Sequence, residues 1–95
     1  MKRIDWNRKR FLRSFKRLSP HKQAAVKIAV KLFVENSSDP RLDFKLRKGS
    51  RYHSIRAGAR SDNLRIAMLK IEDDFFALEY VGNHDDLNSL DHQDR

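Results

Sequence analysis

Three strand-like stretches follow one another closely in the second half of the chain, at residues 52–57, 64–71 and 75–81. Each is rich in apolar, aromatic or β-branched residues, and turn-forming residues separate them at 58–63 and 72–74. They read as a meander of antiparallel strands. Before them the apolar period is helical. Phe11, Phe15 and Leu18 recur at i, i+4 and i+7, with Arg8, Arg10, Arg13, Lys16 and Arg17 over much of the remaining surface. Asn7 is placed to cap this helix from Arg8, after a short first strand at 2–6. Ser19 then offers an N-cap and Pro20 a first helical position for a second helix over 20–35. Its apolar set is broad, from Ala25 to Val34, and Asn36-Ser37-Ser38-Asp39-Pro40 ends it.

The order β-α-α-β-β-β describes an α+β domain. A helical hairpin packs on one face of a mainly antiparallel, twisted sheet, and the other face is expected to be free for a ligand. Ninety-five residues make one domain over 1–95. After Gly82 the stretch 85–94 is acidic, with Leu87 and Leu90 as its only apolar residues. It is expected either to form a short helix docked by those leucines or to fray.

Composition narrows the function. Without cysteine the chain has no disulfide framework, thiolate metal site or cysteine nucleophile. The basic N-terminus runs into polar residues 7–10 and does not read as a signal peptide, and no apolar run approaches the roughly 20 residues that span a bilayer. A soluble, cytoplasmic protein is expected, with no membrane partner. Charge is lopsided: residues 1–70 carry 20 Lys and Arg against 5 Asp and Glu, whereas 71–95 carry 1 against 8. So basic a body is expected to bind a polyanion, most commonly a nucleic acid; the plainer alternative is that these cations only solvate two helices.

Strand alternation decides which side chains share a surface. In 52–57, His53, Ile55 and Ala57 would face the helices, while Tyr52, Ser54 and Arg56 face outward. Arg65 lies on the next strand, with Leu64 and Ile66 on the opposite face, so a suitable register brings two guanidiniums together. A planar guanidinium donates two parallel hydrogen bonds to phosphate and stays charged. His84 follows the last strand, where its ring can be aimed back at that surface to transfer a proton, with Asp85 or Asp86 to orient it. Each feature has a structural alternative. Arg56 and Arg65 can pair with Glu79 or Asp85, His84 can be a surface residue, and Tyr52 can be core instead of a base-stacking ring. The group His84, Asp85, Asp86, Asp91 and His92 lacks a recognised ligand spacing, so neither a metal nor any other cofactor is expected.

The segments "FLRSFKRL", "KLRKGSRYHSIRA", "LRIAML" and "YVGNHDDL", in this order over nearly the whole chain, resemble the RelE/ParE superfamily of toxins from bacterial type II toxin–antitoxin modules. The resemblance implies a small α+β toxin that cleaves mRNA, usually on the ribosome, through attack of a ribose 2′-hydroxyl on the adjacent phosphate without a metal. It implies that Arg65 contacts the scissile phosphate, that Arg56 assists it, and that His84 transfers the proton. It matches Lys45 and Arg47 to a basic approach loop. The residues themselves add Lys48 in the same loop, Tyr52 and Ser54 on the outward strand face and Asp85 beside His84 as further candidates for substrate binding. A cognate antitoxin protein follows as partner. Where members carry a C-terminal aromatic residue, this chain has Leu90. A ParE-type inhibitor of DNA gyrase and a non-catalytic nucleic-acid-binding domain remain as alternative readings.

Overall fold

The computed structural model describes residues 1–93, the side chain of Gln93 excepted; Asp94, which closes the acidic stretch, lies outside them. The elements are β1 (Arg3–Asp5), α1 (Lys9–Lys16), α2 (Pro20–Glu35), β2 (Lys45–Leu46), β3 (Tyr52–Ala57), β4 (Leu64–Glu72), β5 (Phe75–Gly82) and α3 (His84–Gln93), with 3-10 turns at Pro40–Leu42 and Arg60–Asp62. The sheet order is β1-β5-β4-β3-β2. β1 runs parallel to β5 and every other pair is antiparallel, as a meander joined by short turns requires. Strand β2 was not anticipated; two residues of basic loop pair with His53 and Ser54. Among the described residues no helix is long and apolar enough to cross a membrane.

Local chemistry explains the ends of α2. The Ser19 hydroxyl accepts from the Lys22 N–H at 3.3 Å and Pro20 opens the helix. Helix α1 begins differently from expectation. Arg8 holds its N-cap position without a side-chain cap, and the Asn7 N–H is taken by Asp5 Oδ1 at 2.8 Å. Phe11 is buried and Phe15 and Leu18 partly so, against a core of Val26, Val30, Phe33, Ile55, Ile66, Met68, Phe76 and Leu78.

That core lies between the sheet and the pair α1–α2, and strand parity sets which residues enter it. In β5 the parity changes midway. Pairing jumps from Met68↔Leu78 to Ala67↔Tyr80, leaving Glu79 as the extra residue of a β-bulge. Phe76, Leu78 and Val81 therefore all reach the main core, while Ala77 and Tyr80 turn to the other face.

The other face is not free. Asn83 and Asp86 cap α3 reciprocally: the Asn83 N–H donates to Asp86 Oδ2 at 3.0 Å and the Asp86 N–H to Asn83 Oδ1 at 2.8 Å. Leu87 and Leu90, about five-sixths of a turn apart, are buried with Tyr52 and Ala67 in a second small core. Of the two outcomes expected for the acidic stretch, the docked helix is the one observed, and it roofs part of the surface expected to receive a ligand.

Candidate nucleic-acid interface

Arg56 and Arg65 are direct cross-strand partners in the β3–β4 ladder. Two like charges in that position repel, and a carboxylate offsets them. Asp43 Oδ2 accepts from Arg65 Nη2 at 2.8 Å and stands 3.6 Å from Arg56 Nη2 and 3.5 Å from Lys45 Nζ. The Asp43 backbone is left-handed, φ 47°, a conformation that Asp tolerates better than most residues and that closes the 3-10 turn at Pro40–Leu42. The hydrogen bond from Arg65 holds the Asp43 carboxyl below the usual carboxylate range, against a smaller opposing effect of burial. Neither Glu79 nor Asp85 takes the role anticipated as an alternative: Glu79 pairs with Arg8 at 3.3 Å and Arg10 at 4.0 Å.

A cleft of about 200 Å³ opens over this pair, lined by Arg56, Arg60, Asn63, Leu64, Arg65 and His84. Arg60 arrives from the 3-10 turn between β3 and β4. Gly58 at φ 68° and Asn63 at φ 50° shape that turn, and a Cβ on Gly58 would lie 2.6 Å from Asp62 Oδ2. His84, the first residue of α3, is exposed and also borders a second cleft of about 320 Å³ with Lys45, Arg47 and Lys48. One imidazole thus stands where two cation-lined clefts meet. Within the first of them Arg65 keeps Nη1 buried with no hydrogen-bond partner among the described residues. An unpaired guanidinium donor beside two further guanidiniums suits an anion with several acceptor oxygens, such as a phosphodiester.

The remaining sequence candidates separate. Lys45 and Lys48 are exposed at the second cleft, whereas Arg47 is 7% exposed. Its Nε donates to Asp91 Oδ2 at 2.8 Å and its Nη2 to Asn88 Oδ1 at 2.7 Å, so it fastens α3 to the body of the protein. Tyr52 and Ser54 do lie on the face away from α1 and α2, but both are buried, Tyr52 against Leu87 and Leu90. A base cannot stack on Tyr52 while α3 is docked. Asp85 is exposed in the first turn of α3 and lines neither cleft. Sequence reasoning missed Asp43 and Arg60. The signal for Asp43 was present, since it is one of only five carboxylates in residues 1–70, but its partner lies 22 positions away.

No family model and no curated protein sequence matches this chain. Solved structures do. The RelB–RelE antitoxin–toxin complex from Methanococcus jannaschii aligns with a TM-score of 0.63 and 22% identity, over 87% of this chain and 94% of that one. The intact E. coli RelBE toxin–antitoxin complex aligns at 0.65 and 19%, over 87% and 96%. The isolated E. coli RelE toxin aligns at 0.64 and 17%, over 98% and 99%. With 94% or more of each of those chains aligned at TM-scores of 0.63 to 0.65, the chain has the α+β fold of the RelE toxins.

Proposed function

We propose that this protein is the toxin of a toxin–antitoxin pair and acts in the cytoplasm as a metal-independent endoribonuclease on mRNA, at the ribosome. The observation that carries the reading is the single cleft that gathers Arg56, Arg60, Arg65 and His84 and leaves one Arg65 donor unpaired. The scissile phosphate sits on Arg65 and Arg56, displacing Asp43 from the guanidiniums. The ribose 2′-oxygen attacks phosphorus as its proton leaves to water, the bond to the 5′-oxygen breaks, and the His84 imidazolium gives that oxygen its proton. The products are a 2′,3′-cyclic phosphate and a free 5′-hydroxyl. Guanidinium donors stabilise the extra negative charge on the pentacoordinate phosphate, the role a metal ion fills elsewhere. An antitoxin partner is supported by the two structural neighbours that are antitoxin–toxin complexes. In this reading it is an acidic segment laid over the cationic clefts.

Induction of the wild type, His84→Ala and Arg65→Ala in a bacterial host, with 5′-end mapping of cellular mRNA, tests the proposal. The wild type should arrest growth and produce new 5′ ends inside reading frames. Each variant should lower cleavage by roughly 10²–10³-fold while remaining folded. Growth arrest by both the wild type and His84→Ala with mRNA intact and DNA damage induced would replace the nuclease with a gyrase inhibitor.

A further inference from the structure

A second group of cations lies along α1 and its C-cap residue Arg17, away from Arg56 and Arg65. Arg10, Arg13 and Arg17 recur at i, i+3 and i+7, which places them on one side of the helix. Together they line a cleft of about 330 Å³ whose opposite wall includes Tyr80, Asp86 and Ser89. Arg10 reaches Glu79 at 4.0 Å. Arg13 and Arg17 are exposed, and neither forms an ion pair or hydrogen bond through its side chain among the described residues. The one carboxylate in the lining, Asp86, is already engaged by the Asn83 N–H.

The cleft adjoins the end of β5. A Cβ on Gly82 would stand 2.6 Å from Asp86 Oδ2, so Asp86 leans directly on Gly82, and Gly82 is the cross-strand partner of Arg65. The α1 cleft and the Arg65 cleft therefore flank one strand end, a separation that a few nucleotides of single strand can bridge. We propose that the arginine face of α1 is a second phosphate-binding subsite, which holds the RNA backbone a few nucleotides from the phosphate at Arg65; this rests on the nuclease reading above. An acidic amphipathic peptide fits the cleft less well. Such a segment needs apolar anchoring positions, and the leucine in the lining, Leu90, is already buried where α3 packs against Tyr52 and Ala67.

The test is equilibrium binding of non-cleavable, all-deoxy single strands to the full chain across a range of salt, with a dinucleotide and a longer strand as probes. The variants are Arg13→Ala/Arg17→Ala and Arg13→Lys/Arg17→Lys. For the longer strand the alanine pair should weaken binding by roughly tenfold and make the log–log salt slope shallower by about 1.4, two contacts' worth on a single strand. The lysine pair should restore the slope, and the dinucleotide should bind all three proteins alike. A longer strand that binds wild type and alanine pair with one slope removes the α1 subsite and leaves the nuclease reading standing. If the wild type binds no strand, both fall. If the alanine pair loses affinity for a polyglutamate peptide but not for the longer strand, the α1 face belongs to an acidic protein partner and the proposal is overturned.

Discussion

Asp43 is the residue that ties the central cations together, because its carboxylate pairs with Arg65, Arg56 and Lys45 at once; under the proposed function a phosphate oxygen competes with it for the two guanidiniums. Asp43→Asn removes the competing charge and keeps the size of the side chain. It should tighten binding of a deoxy single strand at low salt by roughly threefold to tenfold, the equivalent of ~1 kcal/mol for a partly exposed pair. Weaker binding in that titration would mean that Asp43 chiefly orders the arginines. His53 makes a prediction of another kind. Its ring stacks on Phe44 at 5.3 Å, meets Phe76 edge-on at 5.7 Å, and has Nδ1 buried without a hydrogen-bond partner among the described residues. Burial first, and then the charge of Lys70, lower its pKa from 6.5. The unfolded chain therefore takes up the His53 proton at a higher pH than the native protein does. This contribution to stability is complete above the unfolded value and is lost as pH falls below it, through the lowered folded value. His53→Phe should flatten the fall in Tm between about pH 7 and pH 5; an unchanged Tm profile would locate that fall elsewhere.

At the scale of elements, α3 does two things: it buries Tyr52 and carries His84. Its attachment rests on Leu87 and Leu90, the reciprocal cap of Asn83 and Asp86, and the Arg47–Asp91 pair. Leu87→Ala leaves a cavity in a core too small to close over it. The substitution should cost about 2–5 kcal/mol and lower Tm by at least about 10 °C. RNA cleavage should fall with it, because the imidazole moves when its helix undocks. A variant that unfolds at the wild-type temperature would show that α3 docks by other means. Helix α1 guards the sheet edge that β1 leaves open. Ser14 Oγ accepts from the Val81 N–H at 3.1 Å and donates to the Phe11 carbonyl at 2.9 Å, so a strand N–H beyond the reach of β1 is satisfied by a helix side chain. Beside it, the bulge at Glu79 places a carboxylate against Arg8 and Arg10.

Over the whole molecule, the acidic C-terminal quarter neutralises particular parts of the basic body. Glu72 meets Arg3, Asp73 meets Lys70, Asp74 meets Lys2, Glu79 meets Arg8 and Arg10, and Asp91 meets Arg47. The pairing is selective. It leaves Arg13, Arg17 and the clefts around His84 positively charged at one end of β4 and β5 and the adjoining side of α1, while Lys9, Lys16, Lys27 and Lys31 stay exposed as scattered charges on the two helices. The lopsided charge was visible in the chain; which cations the acidic residues would claim was not.

Signals that act over a few residues were legible in the sequence. Ser19 and Pro20 open α2 where expected, alternation assigns the faces of β3, and Leu87 and Leu90 dock α3. Caps, turns and side-chain periodicity are local, so these residues are readable from the few neighbours on either side of them. The tertiary structure decided the rest. Arg65 finds Asp43 across 22 positions, Arg47 finds Asp91 across 44, and Val81 finds Ser14 across 67. Alternation placed Tyr52, Ser54 and Arg56 on one face of the sheet, but only the tertiary packing decides that the first two are buried, Tyr52 under α3, and that the third remains at the cleft, because burial and ion pairing depend on which distant segments the chain brings together.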